Sequence, residues 1–293
     1  MRTGRSAGDR VFDIINTLFM VFLVLVTAYP MYYVISAAFS NNVQFLANPG
    51  FLAGPRGFTV GAFQMAFQHP LLLRSYRNTL FILFVSLPIN ITMTMLCGYF
   101  LAATNVMFKK YILAVIMFTM FFNAGMIPNF LNIQSLGLYN TLWALILPGA
   151  LSVYNSIICK TAIENVPSSM SESAYIDGAN DFTIIFRIIL PLIKPTLAVL
   201  LLFYGVGHWN AWFNALIYIR DNDKLPVQNI LRAVLIYSNN MLNAAAGADD
   251  RTDQFAETIK YAVIVITTIP VMCVYPFLQK NFVKGVMIGA VKG

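Results

Sequence analysis

Five long stretches of this chain contain no charged side chain, and they limit its fold more than any other feature. They are residues 14–55, 78–108, 111–159, 195–219 and 261–279. A helix that crosses the hydrocarbon core of a bilayer needs about 20 apolar residues, so each stretch can supply at least one span. Only 11% of the residues are charged, against about 25% in a soluble domain. The sequence therefore predicts a membrane protein that crosses the bilayer several times.

Polar residues near the middle of the longest stretch divide it into two helices, which brings the predicted number of transmembrane helices to six. The expected spans are 12–38, 78–104, 110–131, 139–161, 196–219 and 259–281. The first apolar run is too long for a signal peptide and no small-residue cleavage site follows it, so we expect it to be retained. The predicted fold is all-α, with one membrane domain over 12–283 between tails at 1–11 and 284–293.

The distribution of lysine and arginine predicts that both termini lie in the cytoplasm. With six spans the termini share one side, and that side carries 11 of the 19 basic residues. The loops 39–77 and 220–258 on the other side are each near 40 residues long, and long loops cross membranes largely regardless of charge. A basic inner face suits anionic membrane lipid. No basic patch interleaved with aromatic residues indicates nucleic-acid binding.

The sequence shows no motif for catalysis, for nucleotide binding or for a metal site. It contains no GxxxxGK[ST], HExxH or GxSxG pattern, and Cys97, Cys159 and Cys273 fit no metal-ligand spacing. We therefore expect no enzyme activity, metal or cofactor on this chain. Within the charge-free stretches His208 is the only candidate for a proton relay, which argues against a proton-driven carrier. A sodium-coupled carrier or channel that works alone remains an alternative, as does a membrane scaffold without transport.

The segment between the fourth and fifth spans, residues 164–195, predicts a short helix and a sharp turn. Ser169 and Glu172 have the spacing of a capping box, in which each side chain bonds a backbone N–H of the other residue. Asp177-Gly178 then places a glycine where a helix commonly ends in the left-handed conformation. We interpret this segment as a docking surface. The alternative is a pair of amphipathic helices that lie on the lipid headgroups.

A second helix is predicted directly after this turn. Asn180 or Asp181 can cap its first turn, and the helix is expected to run through Leu190. Pro191 and Pro195 are expected to stop it, because proline has no backbone N–H and clashes with the preceding turn of a helix. This helix would lead the chain back into the membrane.

The whole pattern resembles the EAA loop in the permease subunits of ABC importers, where the family usually has alanine in place of Ser173. The resemblance implies contact with the ATPase for eight residues of this loop, namely Glu172, Ser173, Ala174, Asp177, Gly178, Ala179, Leu190 and Pro191. Other segments resemble the carbohydrate branch of that family, which includes the maltose permease subunits. They are residues 137–148, 209–214, 279–285 and 289–293. The closest resemblance is to importers of alginate-type oligouronides, which implies an oligosaccharide substrate, acidic in that subgroup.

The resemblance also implies the partners and the cellular location. Such importers reside in the bacterial cytoplasmic (inner) membrane and contain two permeases, in this branch usually a heterodimer. Two ATP-binding subunits hold ATP and Mg, and an extracytoplasmic solute-binding protein delivers the sugar. A C-terminal contact with the ATPase is implied for Gly289, Ala290, Val291, Lys292 and Gly293. The alternative for this tail is a frayed terminus.

The fifth predicted span carries a cluster of amide, imidazole and indole side chains that are candidates for sugar contact. They are His208, Trp209, Asn210, Trp212 and Asn214. Polar groups within a span usually face the bundle interior or a water-filled cavity. The alternatives are hydrogen bonds between helices and, for tryptophan, a place at the membrane interface.

Overall fold

The computed structural model describes residues 7–103, 106–244 and 256–290. All regular structure in these ranges is helical, and they contain no strand. This confirms the predicted all-α class. A helix satisfies its backbone hydrogen bonds within its own segment, which is the requirement that a bilayer imposes on a spanning chain.

The helices range from single turns to more than eight turns. In chain order they are α1 (Ala7–Ala38), α2 (Asn42–Ala47), α3 (Gly61–Gln68), α4 (Pro70–Ala102), α5 (Lys109–Phe121), α6 (Met126–Ser135), α7 (Trp143–Ile146), α8 (Val153–Glu164), α9 (Ser168–Ile176), α10 (Asp181–Leu192), α11 (Lys194–Asn210), α12 (Phe213–Tyr218), α13 (Val227–Ala244) and α14 (Ala256–Ala290). A 3₁₀ turn lies at Asn222–Lys224, and the part of α10 from Ile184 to Ile189 is π-helical.

Three helices are long and apolar enough to cross a membrane by themselves. They are α1 over Gly8–Ala38, α4, and α14 over Glu257–Val274. Two more candidates are bent pairs: α5 and α6 meet at 110°, and α10 and α11 meet at 90°. The described chain thus has several candidate spans, three of them unbroken. The number six remains a prediction.

Three of the helices that were expected to be continuous are interrupted. The expected helix 110–131 breaks before Gly125, whose φ of +94° no helical residue adopts. The expected helix 139–161 is split into α7 and α8 by a loop around Pro148, and the Ser152 side chain caps α8 through the Asn155 N–H at 3.3 Å. The expected helix 196–219 breaks between α11 and α12, at Ala211.

The described residues form two compact units, and the first combines the chain up to His69 with Leu231–Thr268. Its core is small: Ala37, Phe45 and Leu52 pack together with Tyr261 at their edge. Much of α1 is hydrophobic all round and exposed in the isolated chain. Such a helix must be covered by lipid or by another chain.

The second unit holds Pro70–Ile230 and the chain from Ile269 onward, and it contains the larger core. Residues of α4, α8, α9, α10 and α11 make up that core, including Met95, Cys159, Ala174 and Leu200. Helices α4 and α8 approach closely at Gly98. A Cβ on Gly98 would lie 2.9 Å from the Cβ and Sγ of Cys159, so glycine is required there.

Candidate functional site

The first helix of the candidate coupling loop, α9, begins two residues earlier than the capping box predicted. Pro167 occupies the N-cap position, and no side chain caps the helix. Ser169 lies inside the first turn, so the predicted capping box is wrong. The reason is that proline has its φ fixed near the helical value, which favours a helix start directly after it. Glu172 is exposed and forms no ion pair within the described part of the chain.

The end of α9 has the predicted glycine stop. Gly178 has φ of +80°, its N–H donates to the Tyr175 carbonyl at 3.0 Å, and the Ala179 N–H donates to the Ala174 carbonyl at 2.9 Å. These two bonds form a Schellman motif, which satisfies the last carbonyls of the helix. Ala174 is buried and Ala179 packs against the same core, so the turn is anchored on one side. Asp177 is exposed on the other side.

The second helix, α10, starts as predicted and ends later than predicted. The Asn180 side chain accepts a hydrogen bond from the Thr183 N–H at 2.9 Å and caps the first turn. The helix has π-helical hydrogen bonds, which span five residues and not four, from Ile184 to Ile189. It then continues past Pro191 to Leu192. Pro191 and Pro195 flank the 90° bend into α11. Neither proline has a backbone N–H, so two hydrogen-bond donors are missing around this bend. The prolines therefore mark the position of the bend, and the helix does not end at Pro191 itself.

A cluster of three polar side chains joins the coupling loop to α4. The Tyr99 hydroxyl donates to Asp181 Oδ1 at 2.9 Å and lies 3.0 Å from the Tyr175 hydroxyl, which donates to the same carboxylate. The hydrogen bonds from Tyr175 and Tyr99 hold the pKa of Asp181 below its usual value, so the carboxylate is ionised at neutral pH. The hydrogen bond to Asp181 raises the pKa of Tyr175. We call Tyr99, Tyr175 and Asp181 the tyrosine latch.

The sequence analysis missed the latch. It named Asp181 only as a possible helix cap, and it gave no role to Tyr99, which lies 82 positions earlier. A tyrosine near the end of an apolar span is typical of a membrane interface and indicates no particular partner. Sequence spacing therefore held no signal for this contact.

The two faces of the coupling loop differ in burial. Ala174, Ile184 and Ile185 are buried in the core, which fixes the inner face. Ile176 has 86% of its surface exposed, and Phe182 has 64% exposed. The eight residues that the resemblance assigns to the ATPase contact fall into three groups. Ala174 is buried, and Ala179 and Leu190 are half-buried. The other five are exposed: Glu172, Ser173, Asp177, Gly178 and Pro191.

A polar cavity of about 330 Å³ lies among the second unit's helices, between α4, α8 and α11 and the loop before α8. His208 Nε2 is 2.9 Å from Asn90 Oδ1, and the Asn90 amide donates to the carbonyls of Gly149 and Ala150. Tyr204 accepts from the Ser152 N–H at 3.0 Å and shares a hydrogen bond with Thr94 at 2.8 Å. The cavity therefore presents amide, imidazole and hydroxyl groups in an otherwise apolar region.

The structure brings two of the five predicted sugar-contact residues to this cavity. His208 and Asn214 line it. Trp209 is buried and packs edge-on against Tyr76, with ring centroids 6.1 Å apart. Trp212 also packs edge-on, against Phe213. Asn210 is exposed at the end of α11 and does not line the cavity. Sequence reasoning missed two polar residues that line the cavity, Asn155 and Tyr204. A polar amide inside a charge-free run was the only available signal for Asn155.

The C-terminal residues that were predicted to reach the ATPase are described only in part. Gly289 and Ala290 are the last two residues of α14. Val291, Lys292 and Gly293 lie outside the described residues.

Apolar spans, a polar cavity between them and an anchored helix–turn–helix loop together define a membrane transport component. The chain belongs to the family described as "Binding-protein-dependent transport system inner membrane component", whose sequence profile matches residues 57–288. It is therefore an inner-membrane permease component and not an enzyme. A carrier that works alone does not fit this family.

Similar proteins cover nearly the whole chain. Protein LplC of Bacillus subtilis (strain 168) is 42% identical over 289 residues, which is 98% of this chain and 97% of that protein. The polygalacturonan/rhamnogalacturonan transport system permease protein YtcP of the same organism is 38% identical over 285 residues, covering 97% and 99%. One chain in the crystal structure of a bacterial ABC transporter involved in the import of the acidic polysaccharide alginate is 29% identical, with a TM-score of 0.86 and coverage of 96% of this chain and 99% of that chain.

Proposed function

We propose that this chain is one permease subunit of an ATP-driven, binding-protein-dependent importer of oligosaccharides that carry uronic acid units. The observation that carries the proposal is the coupling loop, whose inner face is anchored in the core while its outer face is exposed. An anchored loop can transmit a displacement that a partner imposes on its exposed face. The substrate class is supported by two similar proteins, one described as acting in polygalacturonan transport and one in import of acidic alginate.

The proposed topology has six spans within one membrane domain over 12–283, and both termini in the cytoplasm. The coupling loop 164–195 then faces the cytoplasm, where an ATPase can reach Glu172 and Asp177. The bent pair α5–α6 supplies the third span, the interrupted α7–α8 region supplies the fourth, and α11 with α12 supplies the fifth. Irregular backbone at membrane depth is tolerated where it lines a cavity, as it does around Gly149.

The proposed assembly contains a second, different permease, two ATP-binding subunits that hold ATP and Mg, and an extracytoplasmic binding protein. This chain's own part is mechanical. A push on α9 passes to α4 through the tyrosine latch and to α11 through α10. Asn90 of α4 is hydrogen-bonded to His208 of α11, and His208 lines the cavity. Movement of the loop therefore bears directly on the polar groups that would meet the sugar.

Sugar contact is proposed for His208 and Asn214 together with Asn155 and Tyr204, which also line the cavity. These groups can donate to and accept from the hydroxyls of a sugar, which neutral apolar walls cannot do. Asn90 is fully buried and is proposed to hold the His208 ring in place. Trp209 and Trp212 are proposed to support the helix packing around the cavity rather than to touch the sugar. The C-terminal residues 289–293 are proposed as a second contact with the ATPase.

The experiment that tests this function is a mild-detergent purification of the tagged chain from its native membranes, with identification of all co-purifying proteins. The proposal requires a second permease and an ATPase with a phosphate-binding loop. In the same preparation, ATP hydrolysis should rise when the binding protein loaded with an oligogalacturonate is added. Isolation of the chain without any ATPase, from membranes where it is abundant, would contradict the proposal.

A further inference from the structure

A second, basic pocket lies at the far end of α4 from the coupling loop. It has a volume of about 530 Å³ and is formed by the first turns of α4, the loop before α7 and the 3₁₀ turn at Asn222–Lys224. We define the basic pocket by seven of its lining residues, which are three cations, one carboxylate, two amides and one indole: Arg74, Arg77, Lys224, Asp223, Asn78, Asn140 and Trp143. The volume lies within the range of about 300–1,000 Å³ that is usual for small-ligand sites.

The basic pocket contains one cation without a countercharge in the described part of the chain. Arg74 pairs with Asp223, and Lys224 pairs with Asp221 at 2.8 Å. Hydrogen bonds from Lys224 and Asn140 hold the pKa of Asp221 below its usual value, so this ion pair persists at neutral pH. Arg77 is exposed and has no ion-pair partner among the described residues. Its guanidinium is therefore available to an anion.

The walls of the basic pocket are held by hydrogen bonds from buried or well-anchored amides. Asn78 is 6% exposed, and its side chain donates to the carbonyls of Asp223 at 2.7 Å and Leu225 at 3.2 Å. The Asn140 side chain accepts from the N–H groups of Arg220 and Asp221, and its carbonyl accepts from Lys224 Nζ at 2.9 Å. These bonds join three segments that are far apart in sequence. The pocket is thus formed before any ligand arrives, which lowers the entropy cost of binding.

The position of the basic pocket along α4 determines its side of the membrane. At 1.5 Å per residue, about 33 Å of helix separates Arg77 from Tyr99 of the tyrosine latch. This matches the hydrocarbon thickness of a bilayer, about 30 Å. With the coupling loop in the cytoplasm, the basic pocket opens on the extracytoplasmic side, where substrate arrives.

We propose that the basic pocket binds a carboxylate-bearing sugar unit of the incoming oligosaccharide, with Arg77 as the partner of the carboxylate and Trp143 as a surface for the sugar ring. The proposal rests on the proposed function, because it assumes an acidic oligosaccharide. Arginine presents two parallel N–H donors that match the two oxygens of a carboxylate. Trp143 is 44% exposed beside these cations and offers an aromatic face.

The shape of the pocket favours a sugar over a surface of the binding protein. Charged residues in a protein–protein contact typically lie on an exposed rim, whereas these cations line a concave volume together with Phe81 and Trp143. The mixture of cation, amide and aromatic ring is suited to a unit with one carboxylate, several hydroxyls and an apolar ring face.

The test measures direct binding of trigalacturonate to the complete purified importer in nanodiscs, without the binding protein, by isothermal titration calorimetry. Arg77→Gln should raise the Kd about tenfold, because a charge-assisted hydrogen bond is lost. Arg77→Lys, which keeps the charge and loses the paired donors, should give an intermediate Kd. Arg220→Gln is the matched control, since Arg220 is an exposed neighbour that does not line the pocket, and its Kd should equal that of the unaltered importer. Neutral galactotriose should show no dependence on Arg77.

Three results would overturn the proposal. The first is an unchanged Kd for trigalacturonate in Arg77→Gln. The second is an effect of Arg77→Gln only on the affinity of the sugar-free binding protein, which would assign the pocket to that protein. The third is an equal increase in the Kd for trigalacturonate in Arg77→Gln and Arg220→Gln. That result would indicate a general electrostatic attraction and not a binding site at Arg77. Failure of the unaltered importer to take up oligogalacturonates would instead contradict the proposed function, and this proposal with it.

Discussion

Gly178 is the residue on which the shape of the coupling loop depends most directly. Its φ of +80° lies in the left-handed region, and nothing lies within 4 Å of the place where a Cβ would be. A side chain at this position would thus meet no steric obstacle. Its only cost would be the backbone conformation, which allows a clean test by substitution.

We expect Gly178→Val to remove most of the stimulation of ATP hydrolysis by the loaded binding protein. Gly178→Asn should largely preserve this stimulation. A β-branched residue in the left-handed conformation costs about 1–2 kcal/mol, and asparagine adopts that conformation far more readily. The measurement is ATP hydrolysis stimulated by the loaded binding protein, with the membrane level of each variant as a control. Equal activity of the valine and asparagine variants would show that the turn does not require a left-handed residue.

The tyrosine latch provides a second prediction at this scale. Tyr99→Phe removes the hydroxyl that contacts both Tyr175 and Asp181, and we expect futile ATP hydrolysis with reduced sugar uptake. Leu101→Met, a buried volume-conserving change on the same helix, is the control and should leave the ratio of uptake to hydrolysis unaltered. An unaltered ratio in Tyr99→Phe would contradict a role for the latch in transmission.

The pH dependence of the latch follows from the pKa of Asp181. Because folding lowers this pKa, the carboxylate stabilises the folded state above its ordinary pKa of 3.8, and the contribution is lost as the pH falls through the lowered value. The effect of Tyr99→Phe on coupling should therefore be the same at pH 6 and pH 8. A strong change across this interval, measured as the ratio of uptake to hydrolysis, would indicate a different titrating group.

At the scale of elements, α4 and α8 depend on the absence of a side chain at Gly98. A Cβ there would lie 2.9 Å from two atoms of Cys159 and 3.1 Å from the backbone nitrogen of Lys160. The backbone atom cannot move without shifting α8. Gly205 in α11 is also helical, but nothing lies within 4 Å of its Cβ position.

We expect Gly98→Ala to destabilise the protein by about 1–3 kcal/mol, the usual cost of overpacking. Gly205→Ala is the matched control and should leave stability equal or slightly raised, since alanine favours helix by up to about 1 kcal/mol relative to glycine. The measurement is thermal unfolding of both variants in the purified importer. Equal melting temperatures for the two variants would refute the close packing of α4 on α8.

The elements that the sequence could predict are those that composition alone determines. Charge-free runs located α1, α4 and α14 because the bilayer requires about 20 apolar residues in any spanning helix. The break at Ala211 was not predictable, since it lies inside a charge-free run and has no proline or glycine at the break itself. The start of α9 was misplaced by two residues because Pro167 and Ser169 both suit a helix start, and spacing alone does not choose between them.

At the scale of the whole molecule, function was more predictable than site geometry. The coupling loop combines local signals, a glycine stop and an asparagine cap, which act over a few residues and therefore appear in the sequence. The cavity and the basic pocket bring together segments that lie far apart, such as Asn90 with His208, 118 positions later. Such contacts depend on how the helices pack, and a single sequence contains no direct record of that packing.

The central claim, that this chain converts ATPase motion into oligosaccharide uptake through the coupling loop, is tested most directly in proteoliposomes. The measurement is the initial uptake rate of labelled trigalacturonate, with the complete importer in the membrane, ATP and Mg inside, and the binding protein outside. Uptake should require ATP, and Glu172→Lys should lower its rate by at least about tenfold, since breaking an interface charge pair typically costs about 2 kcal/mol or more. Ser173→Ala is the control and should retain full uptake, because it exchanges one small side chain for the alanine that the resembling EAA loops usually carry at this position. Uptake without ATP, or an unaltered rate in Glu172→Lys, would contradict the claim.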